Sequence, residues 1–190
     1  MTVSEEKQAQ RKAGRAARKA LSPEVRAAAN AALCANLWQL DAVQKARTIL
    51  LYAAFGAEAD LAAFAEEALR RGKVLAYPVC GEGYSLTAAV PGPDGWETGL
   101  YGIRTPVPER SELLEPEALD LVLVPCTAFD VDCRRVGMGK GYYDRYLPRC
   151  KNAAKIGIAF EVQRVDRAAV DEHDQRLDAY ATERGIYTWK

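Results

Sequence analysis

The chain carries a single histidine, His173, and its five cysteines (Cys34, Cys80, Cys126, Cys133 and Cys150) include no C-x-x-C pair. Odd in number and widely scattered, they argue against a disulfide framework and a zinc site and leave reduced thiols in a cytosolic protein as the reading. Excess positive charge is also missing, since 26 Lys and Arg balance 26 Asp and Glu. A molecule without a net positive field does not hold a polyanion non-specifically, so any anion site has to be local. Long apolar runs are absent too. No stretch approaches membrane-spanning length, and the opening MTVSEEKQAQRKAGRAARKALSP has no apolar signal core. Its arginines suit a transit peptide, but Glu5 and Glu6 count against one. A soluble cytoplasmic protein with neither membrane nor specific nucleic-acid partner is expected, as a monomer or a dimer.

What is present is an ordinary globular balance, 49% hydrophobic and 27% charged over 190 residues, with no repeat or linker. One domain over residues 1–190 is expected. Ser22-Pro23-Glu24 reads as a helix start, with Val25, Ala29, Leu33 and Leu37 on one face. ARTILLYAAF reads as a buried strand. DLAAFAEEALRRG follows as a helix capped by Asp60, with Leu61, Phe64, Ala65, Ala68 and Leu69 inward and Gly72 ending it. KVLAYP and YSLTAAV are further strands, and LDLVLVP and KIGIAF are apolar on both faces, as central parallel strands are. Between them PGPDGWETGLYGIRTPVPERSELLEPEA is rich in Pro and Gly and reads as a long surface loop. Buried strands alternating with amphipathic helices predict a layered α/β/α fold with a largely parallel central sheet and a site at the C-terminal strand ends.

The segment RRVGMGKGYYDRYL places Gly137, Gly139 and Gly141 at alternate positions around Met138 and Lys140. Glycines can turn successive N–H groups toward one point and form an anion nest; the plain alternative is a flexible turn. The spacing fits neither familiar phosphate motif. Walker A needs Ser or Thr after its lysine, whereas Gly141 follows Lys140, and the dinucleotide fingerprint needs wider glycine spacing directly after a strand. Arg135 and Lys140 add phosphate donors, and YYDRYL can open a helix aimed at the site. In the first helix Lys7, Arg11, Arg15 and Arg18 share a face. Like charges so spaced repel, which an anion would relieve; a solvated face is the alternative, and a nucleic-acid contact is disfavoured by the neutral net charge.

Taken in order, KQAQRKAGRAARKALSPEVR, LLYAAFGAEAD, VPCTAFDVDCRRVGMGKGYYDRYL and EHDQRLDAYATERG resemble the 5-formyltetrahydrofolate cyclo-ligase (5,10-methenyltetrahydrofolate synthetase) family over nearly the full length. The resemblance implies a fold similar to the NagB/RpiA/CoA-transferase-like one. It also implies an enzyme that uses ATP and Mg to cyclise 5-formyltetrahydrofolate to 5,10-methenyltetrahydrofolate through a phosphorylated formyl group, an iminium phosphate. By the same resemblance Lys7, Arg11 and Arg135 to Tyr142 bind ATP, with Arg11, Arg135 and Lys140 acting on the moving phosphate and Arg11 also touching the substrate's formyl group. Asp144 and Asp174 are the magnesium candidates, the second also readable as a loop aspartate. Glu58 recognises the pterin, Tyr101 stands over the substrate, and Tyr142 and Tyr143 offer ring faces or simple packing. His173 is read as a positioning or loop residue, not a base. A non-catalytic nucleotide- or folate-binding module on this fold is the alternative.

Overall fold

A strand that is apolar on both faces has to be covered on both. In the computed structural model, which describes residues 2–99 and 102–189, LDLVLVP contributes such a strand to the middle of an eight-stranded sheet. The helices are α1 (Val3–Lys19), α2 (Pro23–Leu37), α3 (Asp41–Lys45), α4 (Ala62–Arg70) and α5 (Tyr142–Tyr146). The first six strands are β1 (Thr48–Leu50), β2 (Val74–Cys80), β3 (Leu86–Pro91), β4 (Trp96–Thr98), β5 (Arg104–Pro106) and β6 (Ser111–Leu114). The remainder are β7 (Leu121–Pro125), β8 (Ala128–Phe129), β9 (Arg135–Val136), β10 (Ala154–Ile158), β11 (Ala179–Thr182) and β12 (Gly185–Thr188).

The large sheet runs β12-β11-β10-β7-β1-β2-β3-β6. Its five central strands, β11 to β2, are parallel, and the outer pairings are antiparallel. Alternation sorts the side chains. Ile49, Leu121, Leu123 and Ile156 meet Leu33, Leu37, Phe64 and Ala68 of α2 and α4 on one face. Leu50, Val122 and Val124 meet Phe129, Tyr146, Leu147 and Cys150 on the other. All five cysteines are free, and four of them are buried. No helix among the described residues is long and apolar enough to cross a membrane.

Helix starts follow the local chemistry. Ser22 Oγ accepts from the Val25 amide with Pro23 in the first turn, and Thr2 and Glu5 cap α1 reciprocally. At α4 the N-cap is Leu61 and not the expected Asp60, whose Oδ1 accepts from the Ala62 amide from one position further out. Two expected core positions lie outside the core: Val25 is 53% and Leu69 60% exposed. Val25 precedes the part of α2 that packs at Ala29, Leu33 and Leu37, and Leu69 falls about 100° round the helix from the buried Ala68.

The Pro/Gly-rich segment is not an irregular loop. It contains the β4–β5 hairpin and β6, which joins the sheet against β3. Glycine and proline serve there as punctuation: Gly95 donates to Gly92 and Gly102 to Gly99 in the turns, and Pro106 closes β5, leaving the Val107 amide to bond across to the Gly95 carbonyl.

Gly14 lets α1 approach the β7–β8 connection so closely that a Cβ there would overlap the Thr127 carbonyl, which is backbone and cannot swing aside. Gly14→Ala is therefore expected to cost about 3 kcal/mol, the upper end of ordinary overpacking, and to lower Tm by roughly 6–12 °C in a chain of this size. Scanning calorimetry checks it; an unchanged Tm would mean that α1 does not dock this way.

Candidate functional site

One cavity of about 1340 Å³ opens beyond the C-terminal ends of β1, β2 and β7, where open α/β sheets place their ligands. Its walls come from the loop after β1, the end of β2, the β4–β5 hairpin, the glycine segment, and residues 171–175. It also reaches Lys7 and Arg11 of α1. The opening helix and the glycine loop thus face one space.

Gly139 has φ 101° and Gly141 φ 72°, backbone that glycine adopts without strain. Arg11 Nε donates to the Gly137 carbonyl at 2.8 Å, and a Cβ on Gly139 would come within 3.3 Å of the Arg11 guanidinium carbon. Each glycine lies against a guanidinium, Gly137 against Arg135, Gly139 against Arg11 and Gly141 against Arg145. Lys140 and Met138 are exposed at the cavity wall. The helix after the loop, α5, has only five residues, so the helix-end attraction expected from YYDRYL is slight.

Several of the cations meet carboxylates of the same cavity. Arg135, 3% exposed, donates from Nη2 to Asp144 Oδ1 at 2.6 Å, and its buried Nε has no partner. Asp144 also accepts from the Gln175 amide at 3.2 Å. Lys7 Nζ binds Asp171 at 2.6 Å and also Asp174. Burial alone would lower the Lys7 pKa, but hydrogen bonds and charge from the two aspartates outweigh it and hold it above its ordinary value. The Lys7 hydrogen bond in turn pulls Asp171 down. The shared basic face of α1 is thus resolved residue by residue. Lys7 and Arg18 are buried against carboxylates, Arg11 lies on the glycine loop, and Arg15 alone is solvated.

Glu58 sits in the loop after β1 with its side chain 9% exposed. Its Oε2 accepts from the Phe55 amide at 3.0 Å, and Oε1 lies 3.4 Å from Arg18 Nη2. Burial raises its pKa, partly opposed by the Phe55 N–H and Arg18. Arg18 also donates to the Cys126 carbonyl at 3.2 Å, tying α1 to the end of β7. Tyr142 and Tyr143 line the cavity and also pack on the core beneath, so contact and anchoring coexist. The Tyr143 hydroxyl is buried without a hydrogen-bond partner, and burial pushes its pKa far up. His173 reaches the rim with an exposed side chain whose Nε2 is 3.8 Å from Glu172. Tyr101 lies outside the described residues.

Sequence reasoning missed Arg18 as the partner of Glu58, Asp171 as a partner of Lys7, and Arg145, whose Nη1 donates to the Lys140 carbonyl at 3.0 Å. Only Arg18 left a signal, its place on the basic face of α1.

The model of the 5-formyltetrahydrofolate cyclo-ligase family matches residues 3–183. The cyclo-ligase of Escherichia coli K12 is 27% identical over 177 residues, 90% of this chain and 97% of its own. That of Mus musculus is 42% identical over 74 residues, 36% of each chain. The NMR structure of Aquifex aeolicus 5,10-methenyltetrahydrofolate synthetase superposes with a TM-score of 0.84 at 34% identity, covering 97% of this chain and 93% of that one. The Mycoplasma pneumoniae synthetase gives 0.77 at 27% identity, covering 93% and 98%. With sequence and fold both shared over almost the whole length, the chain belongs to the 5-formyltetrahydrofolate cyclo-ligase family.

Proposed function

We propose that the protein closes the N5-formyl group of 5-formyltetrahydrofolate onto N10, giving 5,10-methenyltetrahydrofolate with conversion of ATP to ADP and phosphate. The observation that carries this reading is one cavity with a glycine loop and three cations at one side and, at another, Glu58, which Arg18 pairs from behind. A formyl oxygen is a poor leaving group, and phosphoryl transfer from ATP turns it into one that N10 displaces. Such transfer needs placement and charge neutralisation more than covalent help.

Arg11, Arg135 and Lys140 supply the charge, and the amides of Gly137 to Gly141 add donors without bulk. The fit to a polyphosphate rests on two features: the Cβ-free loop beneath Arg11, and the buried Arg135 Nε that lacks a partner. Lys7 completes the cationic wall. Asp144 and Asp174 would hold magnesium, a hard cation that takes one or two carboxylates and completes its shell with phosphate oxygens and water. That habit suits the donor set. No group of three or more His, Cys, Asp or Glu among the described residues could hold a metal by itself. Glu58 would accept from the pterin's donors, with burial raising its pKa and the Phe55 amide and Arg18 opposing that rise, and Tyr142 and Tyr143 would offer ring faces.

Purified protein incubated with 5-formyltetrahydrofolate, ATP and magnesium should generate the absorbance of methenyltetrahydrofolate and one ADP per turnover. No product at substrate-level enzyme would end this reading in favour of a binding module.

A further inference from the structure

Tyr84 has no role in the site as described so far. It stands in the turn between β2 and β3, where Gly83 has φ 63° and Tyr84 φ 58°. Glycine adopts that left-handed backbone freely, whereas a bulky side chain there is strained and rare. Strain of this kind persists where the surroundings impose it, often beside a ligand site. The core does not impose it here, because Tyr84 is 43% exposed.

What the ring meets is the glycine loop. Lys140 Nζ lies 5.7 Å and the Arg145 guanidinium carbon 5.4 Å from its centroid, and the Tyr142 ring meets it edge-on at 5.8 Å. Both cations fall within the distance at which an aromatic face attracts positive charge. Neither forms a salt bridge among the described residues, in contrast to Arg135 and Lys7. A Cβ on Gly141 would come within 2.6 Å of Arg145 Nη1, so the third glycine also makes room for this arrangement. The choice of an aromatic has a physical consequence. A carboxylate would hold the two cations and cancel their charge, whereas a quadrupole holds them and leaves both charges available to an anion.

We propose that Tyr84 is a positioning residue, its ring the platform that keeps the Lys140 ammonium and the Arg145 guanidinium in place for the polyphosphate of a nucleoside triphosphate. This rests on the ATP-dependent reading of the cavity. In this strained turn the ring lies within 6 Å of both cations.

The test compares Tyr84→Gly, which suits the backbone and removes the ring, with Tyr84→Phe, which keeps the ring. Three quantities are read: Tm, the Kd of magnesium adenylyl imidodiphosphate by calorimetry, and the Kd of 5-formyltetrahydrofolate. Tyr84→Gly should have a Tm equal to or above that of the parent. Its analogue Kd should rise about 5- to 30-fold, the combined loss of two exposed cation–π contacts, with the folate Kd unchanged. Tyr84→Phe should keep the analogue Kd within about twofold, because the π face is intact. The proposal is overturned if Tyr84→Gly binds the analogue normally, if Tyr84→Phe binds as weakly as Tyr84→Gly, or if Tyr84→Gly loses Tm and both ligands together. A parent protein with no affinity for the analogue would instead overturn the ATP reading, and turnover with folate and ATP separates the two failures.

Discussion

Lys140→Ala is expected to lower kcat by about 10²- to 10³-fold at saturating ATP, the loss found when one aimed donor is taken from developing charge. Lys140 is exposed at the cavity wall, its carbonyl accepting from Arg145 and its ammonium lying over Tyr84. Nothing in the core depends on it, so Tm and the far-ultraviolet spectrum should be unchanged. Folate affinity should be unchanged too, since the Glu58 end of the cavity is built from other elements. Single-turnover kinetics separate the outcomes: the fall belongs in the chemical step, with a much smaller change in ATP affinity. A variant retaining more than about a third of the parent's kcat would remove Lys140 from the phosphate chemistry, since even the smallest donor losses are far larger.

Glu58→Gln acts at the opposite end. Replacing a charged acceptor by a neutral one should weaken folate binding by roughly 10- to 100-fold, the worth of a hydrogen bond to a charged group, while nucleotide affinity stays as it was. Stability is a poor readout here because two effects oppose. Removing a buried carboxylate ends a desolvation cost, but Arg18, 5% exposed, is left without its counter-charge. Binding is the clean measurement, and its pH dependence adds a second. Burial holds the Glu58 pKa above the ordinary 4.5, so the folded protein takes up this proton more readily than the unfolded chain. The group's stabilising contribution is then complete below pH 4.5 and is lost as pH rises through the raised value. Ligand affinity moves in the other direction, because protonation removes the charge and turns one acceptor oxygen into a donor. Folate affinity should therefore fall on acidification through that value in the parent and stay flat in the Gln variant. Equal folate affinity in the two proteins at neutral pH would take Glu58 out of the folate site.

The central sheet was legible because parallel strands covered on both faces leave continuous apolar runs, as in LVLVP and KIGI. The edges were not. β6, SELL, has an intermediate-to-exposed pattern with no alternation to detect, and β11 and β12 are four residues each. The glycine- and proline-rich segment misled because the same residues that break a strand also turn a hairpin. At the cavity, the glycine spacing and the basic face of α1 are local patterns and could be read from the chain. The ion pairs could not. Arg18 and Glu58 are 40 positions apart, and Lys7 and Asp171 are 164 apart. Such pairing depends on the topology that brings the two ends of the chain to one cavity.

That closure has a consequence for the protein's synthesis. Besides Lys7 with Asp171 and Asp174, Gln10 donates to the Arg167 carbonyl and accepts from the Ala169 amide. Arg167 and Asp171 lie 157 and 164 positions beyond Gln10 and Lys7, so at about 5–20 residues per second α1 waits for them well after its own synthesis. Until then the Lys7 and Gln10 turns of α1 have nothing to clasp, and the wall of the cavity at residues 171–175 is missing.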